Sequence, residues 1–113
     1  MRISEKDFKA MQNKKPGGAY KPPAPKESDI QRDIKSYLEI HGWFVVKIHQ
    51  SLGSYKGIAD LFALKDGQAV WIEVKTPKGT LSEYQEQFRD DITRCGGRYM
   101  VARSVDDVLG IIK

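Results

Sequence analysis

Residues 57–75 read Gly57-Ile58-Ala59-Asp60-Leu61-Phe62-Ala63-Leu64-Lys65-Asp66-Gly67-Gln68-Ala69-Val70-Trp71-Ile72-Glu73-Val74-Lys75, two short apolar runs of β-forming residues around a polar break. The Asp-Gly pair in that break is a hairpin turn signal. With Leu64 and Ala69 as the last facing pair, the register sets Phe62 opposite Trp71 and Asp60 opposite Glu73. Opposed side chains have Cβ atoms roughly 4.5–5.5 Å apart, so two like charges repel there unless a cation lies between them. Side chains alternate along a strand, which puts Lys75 on the same face as Glu73. The hairpin therefore gathers two carboxylates and an ammonium.

That combination suits a divalent metal such as Mg²⁺, which is held by one or two carboxylates and keeps places for water and phosphate. Asp60, followed after twelve residues by Glu73-Val74-Lys75, resembles the D…(D/E)-x-K signature of the PD-(D/E)XK nuclease superfamily. Gly57-Ile58-Ala59-Asp60, Ile72-Glu73-Val74-Lys75-Thr76-Pro77, Gly79-Thr80-Leu81-Ser82 and Gln85 narrow the resemblance to its VRR-NUC branch, from about Glu27 to the C-terminus. Ala59 departs from the proline that many members carry before the aspartate, a change of backbone stiffness without chemical content. The resemblance implies Mg²⁺ or Mn²⁺ on Asp60, Glu73 and the backbone carbonyl of Val74, with Lys75 preparing a water for attack on a phosphodiester. It also implies that Gln85 points at the site to orient Lys75 or the water. Glu27, at the start of a helix, matches a further carboxylate that could complete the shell. Asp29 and Gln31 are weaker substitutes, and the alternative for Glu27 is a favourable charge near a helix N-terminus.

The 113 residues amount to one domain, with 40% hydrophobic and 30% charged residues. No apolar run approaches the roughly 18 residues that span a bilayer, and the N-terminus has no apolar signal region, so a cytoplasmic protein without a membrane partner is expected. The single cysteine, Cys95, excludes an internal disulfide and is expected as a small residue near a helix end. The net charge of +4 is unevenly placed: residues 1–26 hold seven basic and two acidic side chains, a net +5, which leaves residues 27–113 at −1. Residues 1–26 mix Pro, Gly and Lys and read as a largely extended basic arm with a short helix over Glu5 to Met11. Such an arm either lies along phosphates or serves only as a solubilising leader.

Residues 27–113 form the expected nuclease-like domain. A helix from Glu27 or Ser28 to about His41 carries an apolar stripe of Ile30, Ile34, Tyr37 and Leu38, and Gly42 ends it. Trp43 to His49 reads as the first strand, buried on both faces near its start. Lys47, His49, Gln50 and Lys56, in or beside the polar loop that leads to Asp60, and Lys78 beyond Lys75 are candidate phosphate contacts. Thr80 or Ser82 caps a second helix, Ser82 to Cys95, with Leu81, Tyr84, Phe88 and Ile92 on its apolar face. Arg98 to Arg103 is a further strand, returning by a right-handed crossover, and Ser104 caps a last helix from Val105 to about Ile112.

The expected fold is therefore α/β, a restriction-endonuclease-like PD-(D/E)XK core with a mixed central sheet flanked by helices. The expected activity is metal-dependent hydrolysis of DNA by a homodimer, on branched or Holliday-junction-like substrates, with Tyr37, Ile40, Trp43 and Phe44 as the candidate dimer patch. The alternative is a nucleic-acid-binding module that keeps the fold and leaves the site unused.

Overall fold

A computed structural model describes residues 23–51 and 54–111. The expected arm helix over Glu5 to Met11 lies outside the described residues. In chain order the elements are α1 (Glu27–Ile40), β1 (Phe44–Lys47), β2 (Leu61–Lys65), β3 (Gln68–Val74), α2 (Glu83–Arg94), β4 (Tyr99–Ala102) and a closing 3₁₀ helix, Val105–Ile111. The four strands form one sheet in the order β1-β2-β3-β4.

The hairpin takes the expected register, with Leu64 opposite Ala69, Phe62 opposite Trp71 and Leu61 opposite Ile72. Asp66 and Gly67 both have positive φ, 50° and 78°, the requirement of a two-residue turn whose twist matches that of the strands. β1 joins β2 antiparallel, while β4 runs parallel to β3 after the intervening α2, so the sheet is mixed. Asp60 stands one residue before the β2–β3 ladder, at the mouth of the hairpin.

α1 buries Ile30, Ile34 and Leu38, the expected stripe, against Val45, Leu61, Ala63, Val70, Ile72, Val74, Ala102 and Val108. Tyr37 only packs at the edge of that cluster. His41 ends the helix, Gly42 follows at φ +88°, and the Lys65 ammonium donates to the His41 carbonyl at 2.8 Å, tying the helix end to the hairpin. The opposite sheet face is aromatic. Phe62 and Trp71 meet at a tilt with ring centres 4.8 Å apart, Trp71 meets Phe88 edge-on at 5.2 Å, and Phe88 reaches Tyr99 at 6.1 Å and Tyr55 at 5.8 Å. Phe88 is the buried residue of α2, so this aromatic layer holds that helix on the sheet.

Three expectations need correction. β1 is not buried on both faces: Val45 is buried, but Phe44 is 63% and Val46 37% exposed, because β1 is an edge strand and their face is not covered by a helix. Tyr84 does not join the apolar face of α2; it is 58% exposed. The last helix is 3₁₀, and its start is held by the Asp107 carboxylate, which accepts from the Arg103 amide at 2.7 Å, with Asp107 N donating to the Ser104 carbonyl at 3.2 Å. Cys95 is the exposed C-cap residue of α2.

Candidate active site

The hairpin mouth, the start of α1 and the first turn of α2 converge on one cleft of about 440 Å³, lined by Glu27, Asp60, Glu73, Gln85 and their neighbours. Glu27, Asp60 and Glu73 each present a carboxylate oxygen, all within 4.8 Å of one another. Glu73 is 1% exposed, the one buried charged side chain among the described residues. Its place is forced by the strand: Ile72 and Val74 flank it in the core, and β4 covers its other edge.

Each carboxylate is held differently. Asp60 accepts from the Val74 amide at 2.8 Å, which ties it to the backbone beside Glu73. One Glu73 oxygen, Oε2, accepts from Gln85 Nε2 at 3.1 Å and lies 3.7 Å from Lys75 Nζ. The other, Oε1, is buried and has no hydrogen-bond partner. Burial, first, and then the charge of the adjacent Asp60 push the Glu73 carboxyl up to about 8; Lys75 opposes this and Glu27 adds to it.

The orientation of Gln85 has a local cause. Ser82 is the N-cap of α2, its hydroxyl accepting from Gln85 N at 3.2 Å, while Gln85 Oε1 accepts from Ser82 N at 2.9 Å. This capping box uses the acceptor end of the amide, so the donor end, Nε2, is the one that faces Glu73. A glutamate would cap equally well but would bring a fourth carboxylate to the cluster of Glu27, Asp60 and Glu73.

Of the candidate phosphate contacts, Lys47, His49 and Gln50 line the same cleft. The Gln50 amide is also engaged in the fold, donating to the Ile58 carbonyl at 2.7 Å and bracing the loop before Asp60. Lys56 lies in an adjoining cavity, and Lys78 sits on the exposed turn after Lys75, outside the cavities around the carboxylates. Asp29 is drawn to Arg32 at 3.4 Å and is not a member of the carboxylate cluster, whereas Gln31 and Ser28 line the cleft.

The sequence reading missed Arg103. Its Nη1 donates to the carbonyls of Thr76 at 2.7 Å and Gly79 at 2.6 Å, pinning the turn that carries the chain from Lys75 to α2. No local spacing signals a strand-end arginine bonded to a turn more than twenty residues away. Gly57 has a role beyond its place in the motif: a Cβ there would overlap the Tyr84 carbonyl, so the loop before Asp60 packs backbone to backbone on α2.

The donor set fits a divalent cation: three oxygens converge, and one buried carboxylate oxygen lacks the donor its burial demands. The profile of the VRR-NUC domain matches residues 25–106, well over half of the chain. The chain belongs to the VRR-NUC domain family. Two solved structures support the fold of this VRR-NUC domain. One, described as a VRR-NUC domain, is 26% identical, superposes with a TM-score of 0.68, and covers 79% of this chain and 96% of its own. Another, described as a VRR-NUC domain protein, is 16% identical with a TM-score of 0.64, covering 80% of this chain and 87% of its own. No curated protein matches the chain. The family is of nuclease type, and the mixed sheet with its helices is the α/β nuclease-like core that the residues led one to expect. Among the described residues, no helix is long and apolar enough to cross a membrane.

Proposed function

We propose that this VRR-NUC domain is a metal-dependent endodeoxyribonuclease of the PD-(D/E)XK type that hydrolyses DNA phosphodiester bonds at the hairpin mouth. The observation that carries the reading is the Glu73 carboxylate, buried with one oxygen unpartnered and two further carboxylates beside it. In a structural role such a group would be a liability, because a buried polar oxygen without a hydrogen-bond partner costs about 1–3 kcal/mol.

In this reading Asp60, Glu73 and the Val74 carbonyl hold Mg²⁺ or Mn²⁺, and Glu27 completes the set. The bound ion supplies Lewis acidity towards a phosphoryl oxygen and lowers the pKa of a nearby water. Gln85 Nε2 keeps the Glu73 carboxylate from rotating, and the capping box keeps Gln85 itself in place. Lys75, 86% buried and fixed by Glu73, orients the attacking water and meets the charge that develops on the phosphoryl oxygens. Water oxygen bonds to phosphorus and gives up a proton to solvent as the opposite P–O bond breaks in line, and the departing oxygen takes a proton from solvent. Lys47, His49, Gln50 and Lys56 border the strand's route, Lys78 lies further out, and all five are assigned to DNA contact.

The functional unit we propose is a homodimer acting on branched DNA, since one metal cluster serves one strand at a time and a two-fold pair supplies two. Trp43 is buried and drops out of the expected patch. Phe44 and Leu64, cross-strand partners 63% and 38% exposed, and Val46 beside them leave an apolar face uncovered. Ile40, at 79% exposed, remains available near the end of α1.

The test is incubation of plasmid, linear duplex and a synthetic four-way junction with Mg²⁺, Mn²⁺ or EDTA, with light scattering on the same samples. Metal-dependent, paired symmetric nicks in the junction by a protein of dimeric mass are expected. Binding without cleavage under both metals would leave a non-catalytic DNA-binding module. A monomer that nicks linear duplex as readily as junction would remove the structure-selective, dimeric part.

A further inference from the structure

Beside the carboxylate cleft lies a second cavity of about 480 Å³, and Gln50 and Gln85 line both. Its wall carries Tyr84, the residue before Gln85 on α2, which is 58% exposed although the helix pattern assigns it to the core face. The Lys56 ammonium sits 5.0 Å from the centre of that ring. Lys56 has no carboxylate partner among the described residues, unlike Arg32, Lys35, Arg89 and Arg94, which are paired with neighbouring acids. Among the described residues, this exposed aromatic surface and this cation without a carboxylate partner meet through a weak contact.

The opposite flank of the cleft is different in kind. A smaller cavity there shares Ser28, Gln31 and Lys47 with the cleft and adds Arg32 and Lys35, but no aromatic residue. One side of the site therefore offers charge alone, and the other offers charge with a stacking surface. Gly57 keeps the second side in place: its backbone packs on the carbonyl of Tyr84, so Lys56, one residue earlier, and Tyr84 are held at a fixed spacing.

We propose that the Tyr84–Lys56 cavity is a subsite for an unpaired nucleotide next to the scissile phosphate, its base stacked on the Tyr84 ring and its phosphate on Lys56. The inference rests on the nuclease reading of the adjoining cleft and deepens it. A base inside a duplex has both faces covered by its neighbours, so the ring gains a partner only from a nucleotide that has left the stack. Tyr84 is then a specificity residue: it favours DNA in which one strand turns out of the helix beside the cut, the property that a branch point supplies. Lys56 separates from the ring when the nucleotide enters, exchanging a weak contact for a charge-assisted one.

The test measures binding in EDTA, where cleavage cannot occur, by fluorescence anisotropy on a forked duplex with a single-stranded arm and on the same fork with abasic sites in the arm. Wild type is expected to bind the abasic fork more weakly. Tyr84→Ala is expected to lose about ten- to hundredfold on the normal fork, with no further loss on the abasic one. Tyr84→Phe should match wild type on both, and Lys56→Gln should lower the salt slope by about one. Equal binding of wild type and Tyr84→Ala to the normal fork overturns the proposal, as does a loss on Tyr84→Ala that is equally large with abasic sites. Circular dichroism on each variant keeps unfolding apart from lost contact. If these effects appear while wild type cuts nothing with Mg²⁺ or Mn²⁺, the subsite stands and the nuclease reading fails; cleavage without them gives the reverse.

Discussion

Asp60, Glu73 and Lys75 are separable by substitution because each is tied to the fold differently. Asp60→Asn keeps an oxygen for the Val74 amide, and Glu73→Gln keeps the neutral form that burial favours and an acceptor for Gln85, so both variants should melt, without metal, at or above the wild-type temperature. Both should have lost cleavage to background, and Lys75→Ala should fall at least about hundredfold; full activity in any of the three would sink the site assignment. The raised Glu73 pKa also sets a pH dependence. Folded Glu73 keeps its proton up to about 8, while the unfolded chain releases it near the ordinary value of 4.5. Between those values the folded state holds more protons, so this group's contribution to stability is complete below about pH 4.5 and is lost as pH rises through 8, with a limiting slope of about 1.4 kcal/mol per pH unit. Denaturant melts of wild type and Glu73→Gln between pH 5 and 9 should diverge accordingly, and a parallel pair of curves would refute it. At this scale the sequence was unusually readable for Asp60 and Glu73, because a hairpin register is arithmetic once the Asp-Gly turn is placed. Val74's amide bond to Asp60, the unpartnered Glu73 oxygen and the reach of Arg103 were not readable, since they depend on which atom of a side chain meets which backbone group.

The elements that bring Gln85 to Glu73 are α2 and the loop before Asp60, and each is anchored at one point. Phe88 is the single buried residue of α2 and touches Trp71, Tyr99 and Tyr55. Phe88→Ala should cost about 3–5 kcal/mol, and activity should fall even where the chain is still folded, because Gln85 loses its platform. Gly57, at φ +83° with the Tyr84 carbonyl against it, should tolerate alanine poorly: the φ alone costs about 1–2 kcal/mol, and the loop must also lift from α2. Wild-type thermal stability and cleavage rates in Gly57→Ala would show that the loop and helix are not coupled. Helix limits and the order of elements along the chain were accessible from periodicity, with α1 and α2 ending within a residue or two of expectation. Exposure was not: Tyr84 and Phe44 both fit apolar patterns, but a pattern cannot tell which sheet face or helix side is left without a neighbour.

For the whole molecule the uneven charge is the main lever. The net +5 of residues 1–26 against −1 for the remainder predicts that residues 1–26 supply much of any electrostatic affinity for DNA, while the carboxylates at the hairpin mouth repel phosphate. Deleting residues 1–24 is expected to weaken DNA binding and make the dependence of log affinity on log salt shallower, with cleavage retained at saturating protein. An unchanged slope would show that residues 1–24 make no phosphate contact. The lone thiol has a practical meaning for any statement about assembly. Cys95 is the only cysteine in the chain and lies exposed at the end of α2, so a maleimide dye or spin label attaches at one point per chain. In a two-fold pair those two points define a single distance, which reports the arrangement of the protomers directly. The same exposure carries a hazard: air oxidation can couple two chains through Cys95 and produce a dimeric mass with no native interface, so stoichiometry should be measured under a reductant.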